Sequence, residues 1–124
     1  MNDKARILIV EDDEGARRSL ALILSKNGYE VETAGAGQEA LAKVRENGFN
    51  LALLDMKLPD MEGTDLIEPI MELHPDIVVM MVTGYAAVET AVQALTMGAS
   101  NYLTKPLDMN ELLAGVKMAL EKQG

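Results

Sequence analysis

Short, wholly apolar runs alternate with helical stripes along the chain. RILIV (6–10), LALLD (51–55) and DIVVMMVT (76–83) hold continuous hydrophobic segments, which predict strands buried on both faces. VETA (31–34) and NYLT (101–104) are shorter and predict weaker strands. Between them, apolar residues recur at helical spacing. The groups are Ala16, Leu20, Ile23 and Leu24; Ala40, Leu41 and Val44; Leu66, Ile67, Ile70 and Leu73; Val88, Ala91, Val92 and Leu95; and Leu112, Leu113, Val116, Ala119 and Leu120. Asn27–Gly28, Asn47–Gly48 and Gly98 stand where C-terminal caps belong. Pro69 removes a backbone donor and predicts a kinked or shortened third helix. Asp108 and Glu111 form a D-x-x-E pattern that predicts a capped start to the last helix.

Five strands alternating with five helices predict an α/β fold with a parallel sheet covered on both faces. Right-handed crossovers leave few topologies, and the flavodoxin-like (βα)5 three-layer sandwich with strand order 2-1-3-4-5 leads. Residues 1–124 are expected to form one domain, with no internal repeat, low-complexity segment or linker.

Composition narrows the function. Hydrophobic residues make up 48% and charged residues 25%, as in ordinary soluble domains. No apolar run approaches the ~20 residues of a membrane span, and MNDKAR lacks the apolar core of a secretory signal. The absence of cysteine excludes a disulfide framework and a thiolate metal site, so a cytoplasmic location is expected. The net charge of −9 with no basic cluster excludes direct nucleic-acid binding through phosphate neutralisation.

The charge is also placed unusually. ILIVEDDEG runs from a buried strand into three consecutive acids, Glu11, Asp12 and Asp13, and the third strand ends on Asp55. In open α/β sheets, sites form outside the carboxyl ends of the strands. The predicted order makes the first and third strands neighbours, which sets Asp55 beside the acids of the first strand. The fourth strand delivers Thr83 to this edge and the fifth delivers Lys105. Several carboxylates at one edge form a hard oxygen cage suited to Mg²⁺. With a lysine and a hydroxyl added, the constellation suits a phosphoryl group, accepted by an aspartate oxygen as an aspartyl phosphate. Each residue alone has a plainer reading: Glu11–Asp13 as capping acids, Asp55 as turn chemistry, Lys105 and His74 as ordinary surface residues, Tyr102 as half-buried packing. The joint pattern at four strand ends favours the site.

VEDDE, LLDMKLPDMEG, VTGY and YLTKP, in this order and spacing, resemble the receiver domain of bacterial two-component response regulators, and the resemblance covers essentially the whole chain. It implies that Asp55 is the phospho-acceptor, and that Thr83 and Lys105 bind the phosphoryl oxygens. It further implies that Glu11, Asp12, Asp13, Asp55 and the backbone carbonyl of Lys57 make up the Mg²⁺ site, the direct ligand being either Asp12 or Asp13. Thr83 and Tyr102 would be the switch pair, Lys57 and Tyr85 would tune dephosphorylation, and Pro106 would follow a cis peptide bond. The implied partners are a sensor histidine kinase and an output domain or downstream protein. The fourth helix, fifth strand and fifth helix would form the responsive face, with Ala87, Val88, Ala91, Met97 and Tyr102 on its surface and a homodimer through it. A receiver of this kind catalyses its own phosphotransfer and dephosphorylation.

TGYAAVETAVQALTMGASNYLTKP is most similar to receivers attached to enhancer-binding transcription activators, and the end at MALEKQG fits a piece of a longer protein. Two other functions compete. An aspartyl-phosphate hydrolase of the haloacid-dehalogenase kind needs a second acid two residues after the nucleophile, where this chain has Lys57. A binding-only module would be favoured by loss of the acceptor, threonine or lysine, and Asp55, Thr83 and Lys105 are all present.

Overall fold

The computed structural model describes residues 4–84 and 88–123. Strands β1 (Arg6–Val10), β2 (Glu30–Ala34), β3 (Leu51–Asp55), β4 (Val78–Thr83) and β5 (Asn101–Thr104) form one sheet in the order β2-β1-β3-β4-β5. Every pairing is parallel, as the continuous apolar runs predict. Helices α1 (Glu14–Lys26), α2 (Gly37–Glu46), α3 (Ile67–Leu73) and α4 (Val88–Met97) make the crossovers, and α5 (Met109–Gln123) follows β5.

The two-residue period of the strands sorts the core into two layers. Ile7, Ile9, Leu51, Leu53, Met80 and Val82 face one way and pack with Leu20 and Leu24 of α1 and Leu112 and Val116 of α5. Leu8, Val10, Ala52, Leu54, Val79 and Met81 face the other way, against Ala40 and Val44 of α2, Ile67 and Ile70 of α3 and Ala94 of α4. The flavodoxin-like three-layer sandwich is therefore the observed fold. Central β3 is buried at all five positions, whereas the edge strands β2 and β5 are only partly covered.

Local chemistry explains the helix ends. Gly28 takes φ +93°, which favours glycine, and lets Gly28 N donate to Ser25 O and Tyr29 N to Leu24 O, closing α1. Asp108 Oδ1 accepts from Asn110 N and Glu111 N before α5. A 3₁₀ turn at Gly63–Leu66 precedes α3, so Pro69 falls in the first turn of a seven-residue helix. Its missing N–H costs nothing there, because first-turn amides have no intrahelical acceptor. Leu73 leaves the predicted apolar face and is exposed. His74 is not an ordinary exposed histidine either: it is half-buried, with Nε2 2.8 Å from Val44 O, which ties α3 to α2. Among the described residues, no helix is long and apolar enough to cross a membrane.

Candidate functional site

The site grows from four neighbouring strand ends. β1 ends at Val10 and β3 at Asp55, and the β1–β3 register pairs Val10 with Leu54, so Glu11 and Asp55 emerge side by side. Beyond β4, the register of Thr83 with Thr104 continues as Lys105 N donates to Thr83 O at 2.8 Å, which fixes where the lysine leaves β5. The Lys105–Pro106 peptide is cis.

Lys105 Nζ lies 2.8 Å from Glu11 Oε1 and 2.9 Å from Asp55 Oδ2. Glu11, Asp55 and Thr83 are buried, whereas Asp12 is exposed, so the site has a dry floor and a wet rim. Glu11, Asp12 and Asp55 each bring a carboxylate oxygen within 4.8 Å of the others. Like charges so close repel, and the lysine answers part of that repulsion. Burial pushes the Glu11 carboxyl above its ordinary range; Lys105 pulls it back, and the adjacent Asp55 carboxylate adds to the rise. Burial also disfavours the Lys105 charge, but hydrogen bonds to Glu11 and Asp55 outweigh it and hold the ammonium above the usual lysine range.

Asp13 is not brought into this group. Its Oδ2 accepts from Ala16 N at 2.8 Å and it caps α1, the role its position before a helix favours. Asp12 is the acid that reaches Glu11 and Asp55. Lys57 N stands 3.3 Å from Asp55 Oδ1, which holds the start of the next loop against Asp55. Tyr102 is half-buried and packs against the core layer of α2, α3 and α4. Tyr85 and Ala87 lie outside the described residues, as does the side chain of Val88. Ala91 is buried rather than on the surface; among the described side chains of α4, Val92 and Leu95 are exposed large apolar ones.

Three residues of the site were not singled out from the sequence. Arg17 Nη1 donates to Glu11 O at 2.8 Å and to Asp12 O at 3.3 Å, holding the acidic loop from α1. Gly63 packs its Cα against the Asp55 carbonyl, leaving no room for a side chain. Asp60 accepts from Gly37 N and Gln38 N, and these amides hold its carboxyl below the ordinary aspartate range. A depressed pKa contributes stability above the unfolded value and loses it as pH falls through the folded one. Relative to Asp60→Asn, the wild-type chain is therefore expected to lose stability below about pH 4, near the ordinary aspartate value. Urea midpoints of both proteins at pH 6 and pH 3 check this; an unchanged difference would contradict it.

The model of the response regulator receiver domain matches residues 7–117. The chain belongs to this family. Among solved receiver domains, the CheY-like protein from Methanospirillum hungatei JF-1 is 47% identical, with a TM-score of 0.94 over 98% of this chain and 97% of that one. A response regulator from Burkholderia pseudomallei, crystallised with a phosphorylated aspartic acid, a calcium ion and citrate, is 36% identical, with a TM-score of 0.87 over 97% of this chain and 70% of that one. Among curated proteins, the transcriptional regulatory protein ZraR of Escherichia coli K12 is 42% identical over 96% of this chain but only 27% of its own length. This receiver domain thus spans about a quarter of that relative. Receiver domains are phosphorylation-activated switches of two-component systems: histidine kinases phosphorylate them, they generally bind Mg²⁺ in an acidic pocket, and they link to output domains.

Proposed function

We propose that Asp55 is the acceptor of the phosphoryl group, taken from the phosphohistidine of a sensor kinase. The observation that carries this reading is Lys105 Nζ within 2.9 Å of both Glu11 and Asp55 at one strand edge. An Asp55 carboxylate oxygen bonds to phosphorus as the P–N bond breaks, and the donor imidazole leaves with the electron pair. Lys105, already at Asp55, meets the added negative charge, and Thr83, buried at the end of β4, donates to a phosphoryl oxygen in this reading.

The donor set fits Mg²⁺: three carboxylates, all hard oxygen ligands, with Asp12 exposed to solvent. Glu11, Asp12, Asp55 and the carbonyl of Lys57 would hold it. The ion supplies charge neutralisation for an incoming phosphoryl group. The aspartyl phosphate and calcium ion of the Burkholderia pseudomallei relative support both assignments.

Occupancy of Asp55 shifts the population between two conformers through Thr83 and half-buried Tyr102, and changes the α4, β5 and α5 face. Val92 and Leu95, 56% and 46% exposed, give that face apolar contacts for a second copy or for an output domain. Control of transcription through a further domain, as the name of ZraR suggests, and a cytoplasmic location complete the reading.

Intact mass after incubation with acetyl phosphate tests it. One phosphoryl adduct is expected, formed with Mg²⁺ and not formed when a chelator is present from the start. A chain that gains none under either condition would return the acids to the role of helix caps.

A further inference from the structure

We propose that Asp60 is a positioning residue for Asp55, tying the tip of the loop after β3 to the start of α2; this rests on Asp55 being the acceptor. Helix α2 begins without a cap of its own. Ala36 has the extended backbone of a capping residue, φ −153° and ψ 161°, but no side-chain oxygen. The oxygens come from elsewhere in the chain: Gly37 N donates to Asp60 Oδ1 at 2.8 Å and Gln38 N to Asp60 Oδ2 at 2.9 Å. By contrast, Asp13 and Asp108 bond amides only two or three residues beyond themselves. Met61, next to Asp60, packs directly on Gly37, where a Cβ would stand 2.4 Å from its Sδ.

From this double anchor the loop is stiff back to its base. Leu58 N donates to Met61 O at 3.0 Å, Lys57 bridges Glu62 in antiparallel fashion, and Gly63 N donates to Met56 O at 2.6 Å. Gly63 in turn lies against the Asp55 carbonyl. A displacement of the tip is therefore carried to Asp55 and Lys57. The carboxylate suits the task, because a helix N-terminus favours negative charge.

The test separates capping from positioning with Asp60→Ala, Ala36→Asp and the double variant. Ala36→Asp gives α2 a cap from its own chain segment. Asp60→Ala is expected to lower the thermal midpoint by a few degrees. It should also slow phosphorylation by acetyl phosphate at saturating Mg²⁺ on the order of tenfold, short of the ~10²-fold that a 1 Å misplacement can cost. In the double variant the midpoint returns, while the rate stays low and the Gly63 amide exchanges faster than in wild type. An unchanged rate in Asp60→Ala, or a rate that recovers with the midpoint, would overturn the proposal and leave Asp60 a helix cap only. A wild-type chain that takes no phosphoryl group would overturn the Asp55 reading instead. The tie is then judged by Gly63 exchange alone: faster exchange in the double variant supports it, unchanged exchange overturns it.

Discussion

Lys105→Met is expected to slow phosphorylation on the order of 10²–10³-fold, the loss typical of removing one preorganised electrostatic donor, without weakening Mg²⁺. The two effects separate because the lysine and the cation address the same oxygens. Lys105 Nζ occupies Glu11 Oε1 and Asp55 Oδ2, so it competes with a metal for those carboxylates. Its removal leaves Glu11, Asp12 and Asp55 with less positive charge nearby, which favours a divalent cation. An added phosphoryl group, by contrast, brings negative charge that only the metal then offsets. Calorimetric Mg²⁺ titration and acetyl phosphate kinetics on one sample measure both. Parallel losses in affinity and rate would contradict the assignment, since they would make Lys105 a scaffold for the acids rather than a partner of the phosphoryl group.

Gly63→Ala is expected to produce the largest loss of stability among single changes near the site. A Cβ there would lie 1.9 Å from the Asp55 carbonyl oxygen and 2.8 Å from its carbon. The obstruction is backbone at the end of the fully buried β3, with no flexible side chain to swing aside. The cost therefore belongs at or above the upper end of the usual overpacking range, about 3 kcal/mol, which lowers the thermal midpoint by about 10 °C or more. Relief of the clash must move Asp55 or the loop after it, so phosphorylation should fall as well. Scanning calorimetry checks the first effect; a midpoint within a degree or two of wild type would show that the loop yields freely.

What was legible in the sequence follows the range of the interactions. β1, β3 and β4 declare themselves because each is buried on both faces by its own residues, and β1 and β3 end on acids or run into them. Once the strand order is known, Glu11, Asp55, Thr83 and Lys105 fall at one edge without further information. The misjudged details turn on packing between elements. Ala91 and Val92 both belong to the apolar stripe of α4, and only the docking of that helix on α3 and β5 decides that Ala91 is buried and Val92 exposed. Asp12 and Asp13 are adjacent acids that composition cannot separate; the start of α1 claims Asp13 as its cap. Asp60 carries no local sign at all, because its partners are 22 and 23 residues away. The clue was a missing one: in AGAGQEA the residue just before the helix is Ala36, not Ser, Thr, Asp or Asn.

Which oxygen carries the phosphoryl group decides what the acidic site does. After reaction with acetyl phosphate and Mg²⁺, borohydride reduces an aspartyl phosphate to homoserine, and peptide mass spectrometry locates that residue. The expected result is homoserine at position 55 alone, with none in Asp55→Asn. Homoserine at position 12 or 13, or reduction that persists in Asp55→Asn, would contradict the assignment of Asp55 and the site built around it.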